Sequence, residues 1–330
     1  MIDARLNTGL AGAAMVSVLA ACLVGATSLP LDRFFAALAG AGEPGDMIVI
    51  WEIRFPRAVC AFVVGAALGL SGAALQGLLR NPLAEPGVLG VSSCSALGAS
   101  FILFYFGAAA TTLSVSFAAI IGAVVATGLL TAAAVRNISA SVLILVGVGL
   151  SSFTGALMAL LLNLAPNPFS IADLMNWTLG SVANRSLNDL FLAAPFLAVS
   201  IVCIGLVRRD LSALSLGEET AHGVGVNLTR TRALVVIGAG LATGASVSIA
   251  GAIGFVGIVA PHIVRPLVNF DPARTLVPAS LLSGAMLVLA DIGVRLIPTP
   301  AELRLGVLAA LIGAPFFIWI VSAQQRGRDG

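Results

Sequence analysis

Charged side chains are unusually scarce in this chain, and this scarcity limits what it can fold into. Asp, Glu, Lys and Arg make up 10% of the 330 residues, 59% are hydrophobic, and the mean hydropathy is +1.07. Soluble domains carry about 25% charged residues, so this chain has too few polar groups to cover a water-facing surface. The sequence therefore predicts a protein embedded in a lipid bilayer.

The basic residues exclude several functions. All 17 of them are arginine, whereas a Walker A loop needs a lysine to reach the phosphates and Schiff-base chemistry needs a lysine amine. The net charge is only +2, and no basic stripe with interleaved aromatic residues indicates a nucleic-acid surface. We expect no nucleic-acid partner, and we expect another chain to hydrolyse any ATP that drives this protein.

The four cysteines lie in apolar runs without CxxC spacing. Cys22, Cys60, Cys94 and Cys203 are interpreted as small buried side chains, with no disulfide or metal role. Leu19-Ala-Ala-Cys22 resembles a lipoprotein cleavage site, but the apolar run continues beyond it and further apolar segments follow. This pattern favours a first membrane helix over a removed signal peptide.

Ten apolar segments are candidate membrane spans, because a span needs about 20 apolar residues. They cover about 9–29, 57–79, 88–106, 112–134, 141–164, 189–207, 233–250, 253–268, 278–297 and 305–323. The uncharged run 233–260 would be about 42 Å long as one helix, which is too long for one crossing. A turn is therefore predicted within 246–254, with a helix that ends near Ala250.

The arginines favour ten spans over nine. With ten spans and a cytoplasmic N-terminus, eleven arginines face the cytoplasm and six face outside; with nine spans the numbers are nine and eight. Because basic residues accumulate on the cytoplasmic side, we predict an all-α protein with both termini inside. The longest polar connections are 30–56, 165–188 and 208–232, so residues 1–330 are expected to form a single transmembrane domain.

Small residues follow helical spacing in the second predicted span. Gly65, Gly69 and Gly72 allow close approach of neighbouring helices, which is how helices commonly pack in lipid. Gly69-Leu-Ser71-Gly72 also fits the short GxSG pattern of intramembrane serine proteases, with His262 on a later helix. The pattern is weak in a chain so rich in glycine and serine. HExxH and paired intramembrane aspartates are absent from the sequence.

The predicted spans contain few ionisable residues, which an ion-coupled transporter would need near the membrane midplane. Asp291 and Arg295 are exceptions, and their i, i+4 spacing predicts a helical ion pair. Both histidines, His222 and His262, are placed on the cytoplasmic side. The sequence thus indicates that energy enters from outside the membrane and that any transported metal travels inside a chelate.

The cytoplasmic loop 208–232 contains a short helix signature at 216–225. Gly217 stands at an N-cap position, and Glu218 and Glu219 lie in the first turn, where the helix dipole favours anions. Gly223 and Gly225 are candidate C-cap residues. Two interpretations are open, a solvated connector and a docking element for a cytoplasmic partner.

Eight short motifs, in this order, are together specific to one transporter family. They are Arg54-Phe-Pro-Arg57, the glycine-rich segment 65–76, Arg80-Asn-Pro-Leu-Ala-Glu-Pro-Gly87, Leu216-Gly-Glu-Glu-Thr-Ala221, Gly251-Ala-Ile-Gly-Phe-Val-Gly257, Ala260-Pro-His-Ile-Val-Arg265, Ala290-Asp291 and Gly313-Ala-Pro-Phe316. Over nearly its whole length the chain resembles the FecCD-type permeases, the membrane subunits of bacterial ABC importers for cobalamin, haem and ferric siderophores.

The resemblance implies a homodimer of ten-span subunits in the bacterial inner membrane, with the type II ABC importer architecture. Its partners would be two cytoplasmic ATP-binding subunits, which use ATP and Mg, and a periplasmic substrate-binding protein. Binding-protein docking is implied for Arg54, Arg57 and Arg295; Arg57 alone could instead anchor its helix at the membrane interface. ATPase coupling is implied for Gly217, Glu218, Glu219, Ala221, His222, Gly223, Val224 and Gly225.

The resemblance also implies a path lined by the fifth and tenth spans. The inner gate falls on Asn137, Ser139 and Ser141, and the lining is expected to include Phe153 and Met158. Pro315 removes a backbone hydrogen bond and predicts a bend in the tenth span.

The expected function is import of an iron chelate by a chain that is no enzyme and binds no cofactor or metal of its own. The segment 81–93 is similar to haem permeases, so haem is the first expectation, and a ferric siderophore or cobalamin is the alternative. An ion-coupled secondary transporter and a purely structural membrane partner remain as functions of other classes.

Overall fold

The computed structural model describes residues 2–25, 29–136, 139–165, 168–297 and 302–326, and these residues form helices without a strand. The fifteen α-helices are α1 Ile2–Leu23, α2 Leu31–Leu38, α3 Pro44–Ile48, α4 Phe55–Leu79, α5 Val91–Phe106, α6 Thr112–Ala134, α7 Ala140–Asn163, α8 Pro168–Thr178, α9 Leu187–Leu206, α10 Arg208–Leu214, α11 Glu218–Gly223, α12 Leu228–Ala250, α13 Val256–Val264, α14 Pro272–Leu296 and α15 Leu305–Arg326. The all-α prediction is confirmed.

Seven helical stretches of the described residues are long and apolar enough to cross a membrane. They are α1, the run Pro44–Leu79, and helices α6, α7, α9, α12 and α14. Three shorter apolar helices lie at Val91–Phe106, Val256–Val268 and Leu305–Trp319. Each of the ten predicted segments overlaps one of these helices, and the number of membrane crossings and the side of each terminus stay predictions.

The connection 30–56, which the sequence analysis treated as polar, is largely helical. Helix α2 buries Phe34 and Ala37, and the indole N–H of Trp51 donates to the Ala37 carbonyl at 3.1 Å. A π-helical stretch, Val49–Arg54, joins α3 directly to α4. The apolar side chains packed under α2 explain why this segment folds although charged residues are spread along it.

The long run 233–260 is broken, as predicted. Helix α12 ends at Ala250, and α13 begins at Val256, three residues later than expected. Gly251 takes φ +71° and Phe255 takes φ +66°. Both residues therefore have left-handed backbone conformations, which a continuous α-helix excludes.

Helices α4 and α12 form the buried centre of the bundle, and α4 packs along α14. A Cβ on Gly65 would lie 2.5 Å from the Ser283 carbonyl oxygen, and a Cβ on Gly69 would lie 2.4 Å from Ser283 Cβ. These close contacts confirm that the glycines of α4 are packing residues.

Helix α1 lies at the edge of the bundle with much of its surface exposed. At its first turn, Arg274 Nε on α14 donates to Asp3 Oδ2 at 2.7 Å. At its last turn, its carbonyl groups accept hydrogen bonds from Arg54 and Arg295. Polar contacts at both ends thus hold α1 against the rest of the molecule.

Candidate functional site

Four ionised side chains meet at the end of the bundle where α1 and α14 end and α4 begins. Arg57 Nη2 donates to Asp291 Oδ1 at 2.7 Å, and Arg57 Nε lies 3.1 Å from both oxygens of that carboxylate. Arg295 pairs with the same carboxylate from one turn along α14, so the predicted i, i+4 ion pair is confirmed. Glu302 also pairs with Arg57. Asp291 therefore compensates two guanidinium groups.

Arg54 and Arg295 bind the C-terminal end of α1, where helix carbonyls lack intrahelical partners. Arg54 Nη1 donates to the carbonyls of Cys22 at 3.0 Å and Leu23 at 2.7 Å. Arg295 Nη1 donates to Ala21 at 2.8 Å and to the Val24 carbonyl at 3.1 Å. Both arginines thus have a direct structural role as caps of α1.

The three arginines predicted to dock a binding protein are therefore brought together, but they face inward. The Arg57 side chain is 13% exposed and that of Arg295 is 6% exposed, and Arg54 is buried. Glu302, at 38%, is the most exposed charged member of the network. Docking at these arginines stays a prediction, and the structure adds that it would compete with internal contacts.

The opposite end carries the short helix that the sequence predicts in the loop 208–232. Gly217 takes φ +110°, and α11 then runs from Glu218 to Gly223. Glu218 Oε1 accepts from Arg232 Nη2 at 2.8 Å, and Ala221 is fully buried. Val224 occupies the C-cap position, and Gly225 follows it with φ +88°. The N–H groups of Gly225 and Val226 donate to the His222 and Ala221 carbonyls at 3.0 Å each, so the predicted glycine end of the helix is confirmed at Gly225, whereas Gly223 is the last helical residue.

The solvent-facing side of α11 and its flanks is apolar at two positions. Leu216 and Val224 are exposed at 72% and 71%, while Glu219 and His222 are exposed polar neighbours. Gly223 and Gly225 are exposed too, and Gly225 takes φ +88°. Exposed large apolar side chains that cluster in this way are typical of interaction surfaces.

A second exposed apolar segment, which the sequence analysis did not identify, adjoins α10. Leu267 and Phe270 are exposed in the turn between α13 and α14. Ser212 Oγ donates to Asp271 Oδ1 at 2.6 Å, and Arg208 Nε donates to the Ala273 carbonyl at 3.1 Å. These bonds tie the turn to α10, so α10, α11 and the turn form one surface.

The predicted gate and path residues on α7 are mostly exposed. Asn137 lies outside the described residues. Ser139 is the N-cap of α7 and its hydroxyl accepts from the Val142 N–H at 3.4 Å, and Ser141 is exposed. Phe153 is exposed and Met158 is half-buried. The chain thus leaves this helix available for a partner, and the gate and path roles stay predictions.

Pro315 lies inside α15 and lines an apolar cavity of about 510 Å³. The cavity lies between the end of α8, the break before α13 and α15. Its lining is Thr178, Leu179, Ala252, Gly306, Val307, Ala310, Leu311, Ala314 and Pro315. A proline identified from sequence as a helix bend therefore borders the largest of the cavities described here.

A second cavity, of about 320 Å³, is polar and was not predicted. Asp173 and Trp177 of α8 line it together with Arg185 and Arg304. Arg185 Nε is buried and has no hydrogen-bond partner among the described residues. A cavity with two guanidinium groups suits a ligand that carries anionic groups.

The two residues of the protease alternative do not form a catalytic pair. Ser71 Oγ donates to the Ala239 carbonyl at 3.0 Å and lies 3.2 Å from Thr243 Oγ1, so it joins α4 to α12.

The four cysteines are buried and unpaired, and the described residues contain no group of three or more His, Cys, Asp and Glu arranged to hold a metal ion.

Comparison with known proteins supports the resemblance described above. A family model described as the FecCD transport family matches residues 13–323. The vitamin B12 import system permease protein BtuC of Klebsiella pneumoniae is 38% identical over 93% of this chain and 94% of that protein. The ABC transporter permease protein YvrB of Bacillus subtilis, uncharacterized, is 36% identical over 94% and 92%.

A solved structure is similar to nearly the whole chain. It is described as an inward-facing conformation of a metal-chelate type ABC transporter, and the TM-score is 0.86 at 30% identity. The similarity covers 97% of this chain and 99% of that one. The arrangement of helices, and not only the sequence, is therefore shared.

Proposed function

This chain belongs to the FecCD transport family, and from that premise we propose that it is the permease subunit of an ATP-driven importer for a metal chelate. The chain is a multi-pass protein of the inner, cytoplasmic membrane, and its relatives are transport subunits of ABC systems. The finer assignments that follow, namely the partners, the path and the substrate, belong to the proposal.

The observation that carries the proposal is the exposed surface formed by α10, α11 and the turn 265–271. A helix that is fixed on one side by Ala221 and by the Glu218–Arg232 ion pair, and flanked by exposed Leu216 and Val224, has the form of a docking element. We assign this surface to a cytoplasmic ATP-binding subunit. That subunit hydrolyses ATP with Mg, and the permease itself binds neither.

The remaining partners follow from the exposed helices and from the arginine network. A second copy of the chain would cover the exposed faces of α7 and α15, so that the apolar cavity beside Pro315 opens towards the path between two subunits. A substrate-binding protein would dock at the end that carries Arg54, Arg57 and Arg295. The transport cycle is alternating access. ATP binding in the partner moves α11, and the movement of α11 shifts the membrane helices connected to it.

The substrate is proposed as a metal chelate of the cobalamin, haem and siderophore group. The K. pneumoniae relative is named for vitamin B12 import, which makes cobalamin the first substrate to test. Haem, the first expectation from sequence, and a ferric siderophore are the alternatives. The polar cavity with Arg185 and Arg304 favours a chelate that carries carboxylate or phosphate groups.

Uptake into proteoliposomes tests the proposal. The chain is purified with its ATP-binding subunit, reconstituted with ATP inside, and supplied with its binding protein and cyanocobalamin, haem or the ferric siderophore of its host. We expect uptake of one chelate, and this uptake should require the permease, the ATP-binding subunit and the binding protein together. Uptake that follows an ion gradient without the ATP-binding subunit would instead establish a secondary transporter, and no uptake of any chelate would contradict the importer.

A further inference from the structure

Three of the motifs that define the resemblance converge at one place. Glu85 lies in the connection 80–90 between α4 and α5, Phe255 directly precedes α13, and Gly313 lies on α15. The Glu85 carboxylate accepts a hydrogen bond from the Phe255 N–H at 2.6 Å. The Glu85 side chain, in the connection between α4 and α5, thus binds the backbone of the break between α12 and α13.

The Glu85 carboxylate is largely enclosed and has no cation within ion-pair distance among the described residues. An enclosed carboxylate without a cation is costly unless hydrogen bonds compensate it. The first N–H groups of a helix have no intrahelical acceptor, and the dipole there favours a negative charge. Phe255 at the start of α13 therefore gives Glu85 a partner that suits its charge.

Phe255 is held in a conformation that a phenylalanine rarely adopts. Its φ of +66° and ψ of −27° lie in the left-handed region, which is strained for a residue other than glycine and persists only where the surroundings fix it. On its other side, a Cβ on Gly313 would lie 2.3 Å from Phe255 Cβ. Phe255 is thus wedged between Glu85 and the backbone of α15.

The connection that carries Glu85 is itself fixed to another helix. A Cβ on Gly147 of α7 would lie 2.6 Å from Leu89 Cα, and Gly90 takes φ +79° where the connection turns into α5. Displacement of the connection would therefore disturb its packing against α7 as well as its hydrogen bond to Phe255.

Phe255 and Gly313 lie beside the apolar cavity. Ala252, three residues before Phe255, and Ala314 and Pro315, which follow Gly313, all line it. A shift of Phe255 moves both walls, because its backbone leads to Ala252 and its side chain contacts α15.

We propose that Glu85 is a positioning residue for transport, which holds Phe255 against Gly313 and so sets the separation of the two walls of the cavity. The carboxylate links the α4–α5 connection to the path without contacting the substrate. This role rests on the proposed permease function.

The first experiment compares Glu85→Ala and Glu85→Gln in the reconstituted complex, with cyanocobalamin and haem as probes. Glutamine keeps an acceptor oxygen for the Phe255 N–H, whereas alanine removes it. We expect Glu85→Ala to lower uptake per ATP hydrolysed by about 2- to 30-fold, the range of measured couplings between distant sites, and Glu85→Gln to restore most of it. Asp32→Ala, at an exposed carboxylate of α2, should leave uptake per ATP unchanged.

A second pair of variants tests the contact between Phe255 and Gly313 on α15. Gly313→Ala keeps Glu85 but displaces Phe255, so it should lower uptake per ATP in the same way. Gly205→Ala on α9, where a Cβ meets open space, is the matched control. If Glu85→Ala does not assemble, Gly313→Ala decides, and normal uptake per ATP for this variant overturns the proposal.

A labelling measurement needs no substrate. Because the four native cysteines are buried, Ala252→Cys introduces a selective site for a maleimide at the cavity wall. We expect Glu85→Ala to change its labelling rate by at least about twofold and Glu85→Gln to leave it unchanged. Equal labelling rates of the Ala252→Cys site with Glu85, with Glu85→Ala and with Glu85→Gln would overturn the proposal. Labelling rates that differ as expected, in a complex that transports no chelate with Glu85 in place, would contradict the proposed function alone.

Discussion

The two ends of the bundle use their polar and apolar residues in opposite ways. At one end, Arg57, Asp291 and Arg295 are charged, buried and bonded to one another. At the other, Leu216 and Val224 are apolar and open to solvent. The charged end is therefore satisfied by contacts within the chain, whereas the apolar end exposes side chains that the proposed ATP-binding subunit would cover. Four variants test this contrast.

Asp291→Ala should give the largest effect, because it leaves the buried Arg295 without a carboxylate and Arg57 with only the more exposed Glu302. Removal of one partner from a buried ion pair costs about 3–5 kcal/mol. We expect the free energy of unfolding to fall by about this amount, measured by denaturant unfolding in detergent. Glu43→Ala removes an exposed carboxylate paired with Arg33 and should cost less than about 1 kcal/mol. Equal effects of the two variants would contradict the contrast.

Ala221→Trp should give the next largest effect, because it forces an indole ring into a fully buried position under α11. Overpacking of this kind costs about 1–3 kcal/mol or more, and here it displaces the docking helix. We expect chelate uptake to fall by at least about tenfold while the partner still hydrolyses ATP. Ala132→Trp on the exposed face of α6 is the control. Normal coupling in Ala221→Trp would remove α11 from the proposed surface.

Leu216→Ser combined with Val224→Ser should weaken binding of the ATP-binding subunit without unfolding the permease. Two exposed apolar side chains that become buried in an interface contribute about 1–3 kcal/mol together, so we expect an increase in Kd of about tenfold. Binding is measured on purified subunits in detergent. Leu31→Ser, an exposed leucine at the other end, should leave Kd unchanged; a matching loss in this control would point to a general effect on solubility.

Glu302→Gln should give the smallest effect, and this effect should be a gain in capture of the binding protein and not a loss. Glu302 competes for Arg57 with any acidic residue of a docking protein, so its neutralisation should strengthen capture of the binding protein by about threefold, the order of one exposed ion pair. Arg57→Glu, in contrast, should weaken capture, and it also places a third carboxylate beside Asp291 and Glu302. Unchanged capture in both variants would exclude Arg57 from the docking site.

Much of the fold was predictable because its signals are local in sequence. Apolar runs separated by arginines locate the long helices, and the run 233–260 is too long for one helix, which predicts the break before α13. The Gly217-Glu218-Glu219 sequence is likewise a local helix start and identifies α11. In each case, neighbouring residues carry the information that determines the structure.

The parts that escaped prediction depend on residues far apart in the chain. Helix α2 folds because Phe34 and Ala37 pack against distant helices, although charged residues are spread along the segment. The inward orientation of Arg54 follows from the carbonyls at the end of α1, and the resemblance alone suggested a surface role. Composition and spacing do not encode such partners.

Helix α1 shows what its two polar anchors imply for synthesis of the protein in the cell. Arg274 and Arg295, which bind its first and last turns, are translated more than 250 residues after Asp3. At about 5–20 residues per second, the ribosome needs roughly 10–60 s to reach them. Helix α1 is therefore made long before α14, and a chain that ends before α14 would leave α1 with its contacts to Arg54 but without those to Arg274 and Arg295.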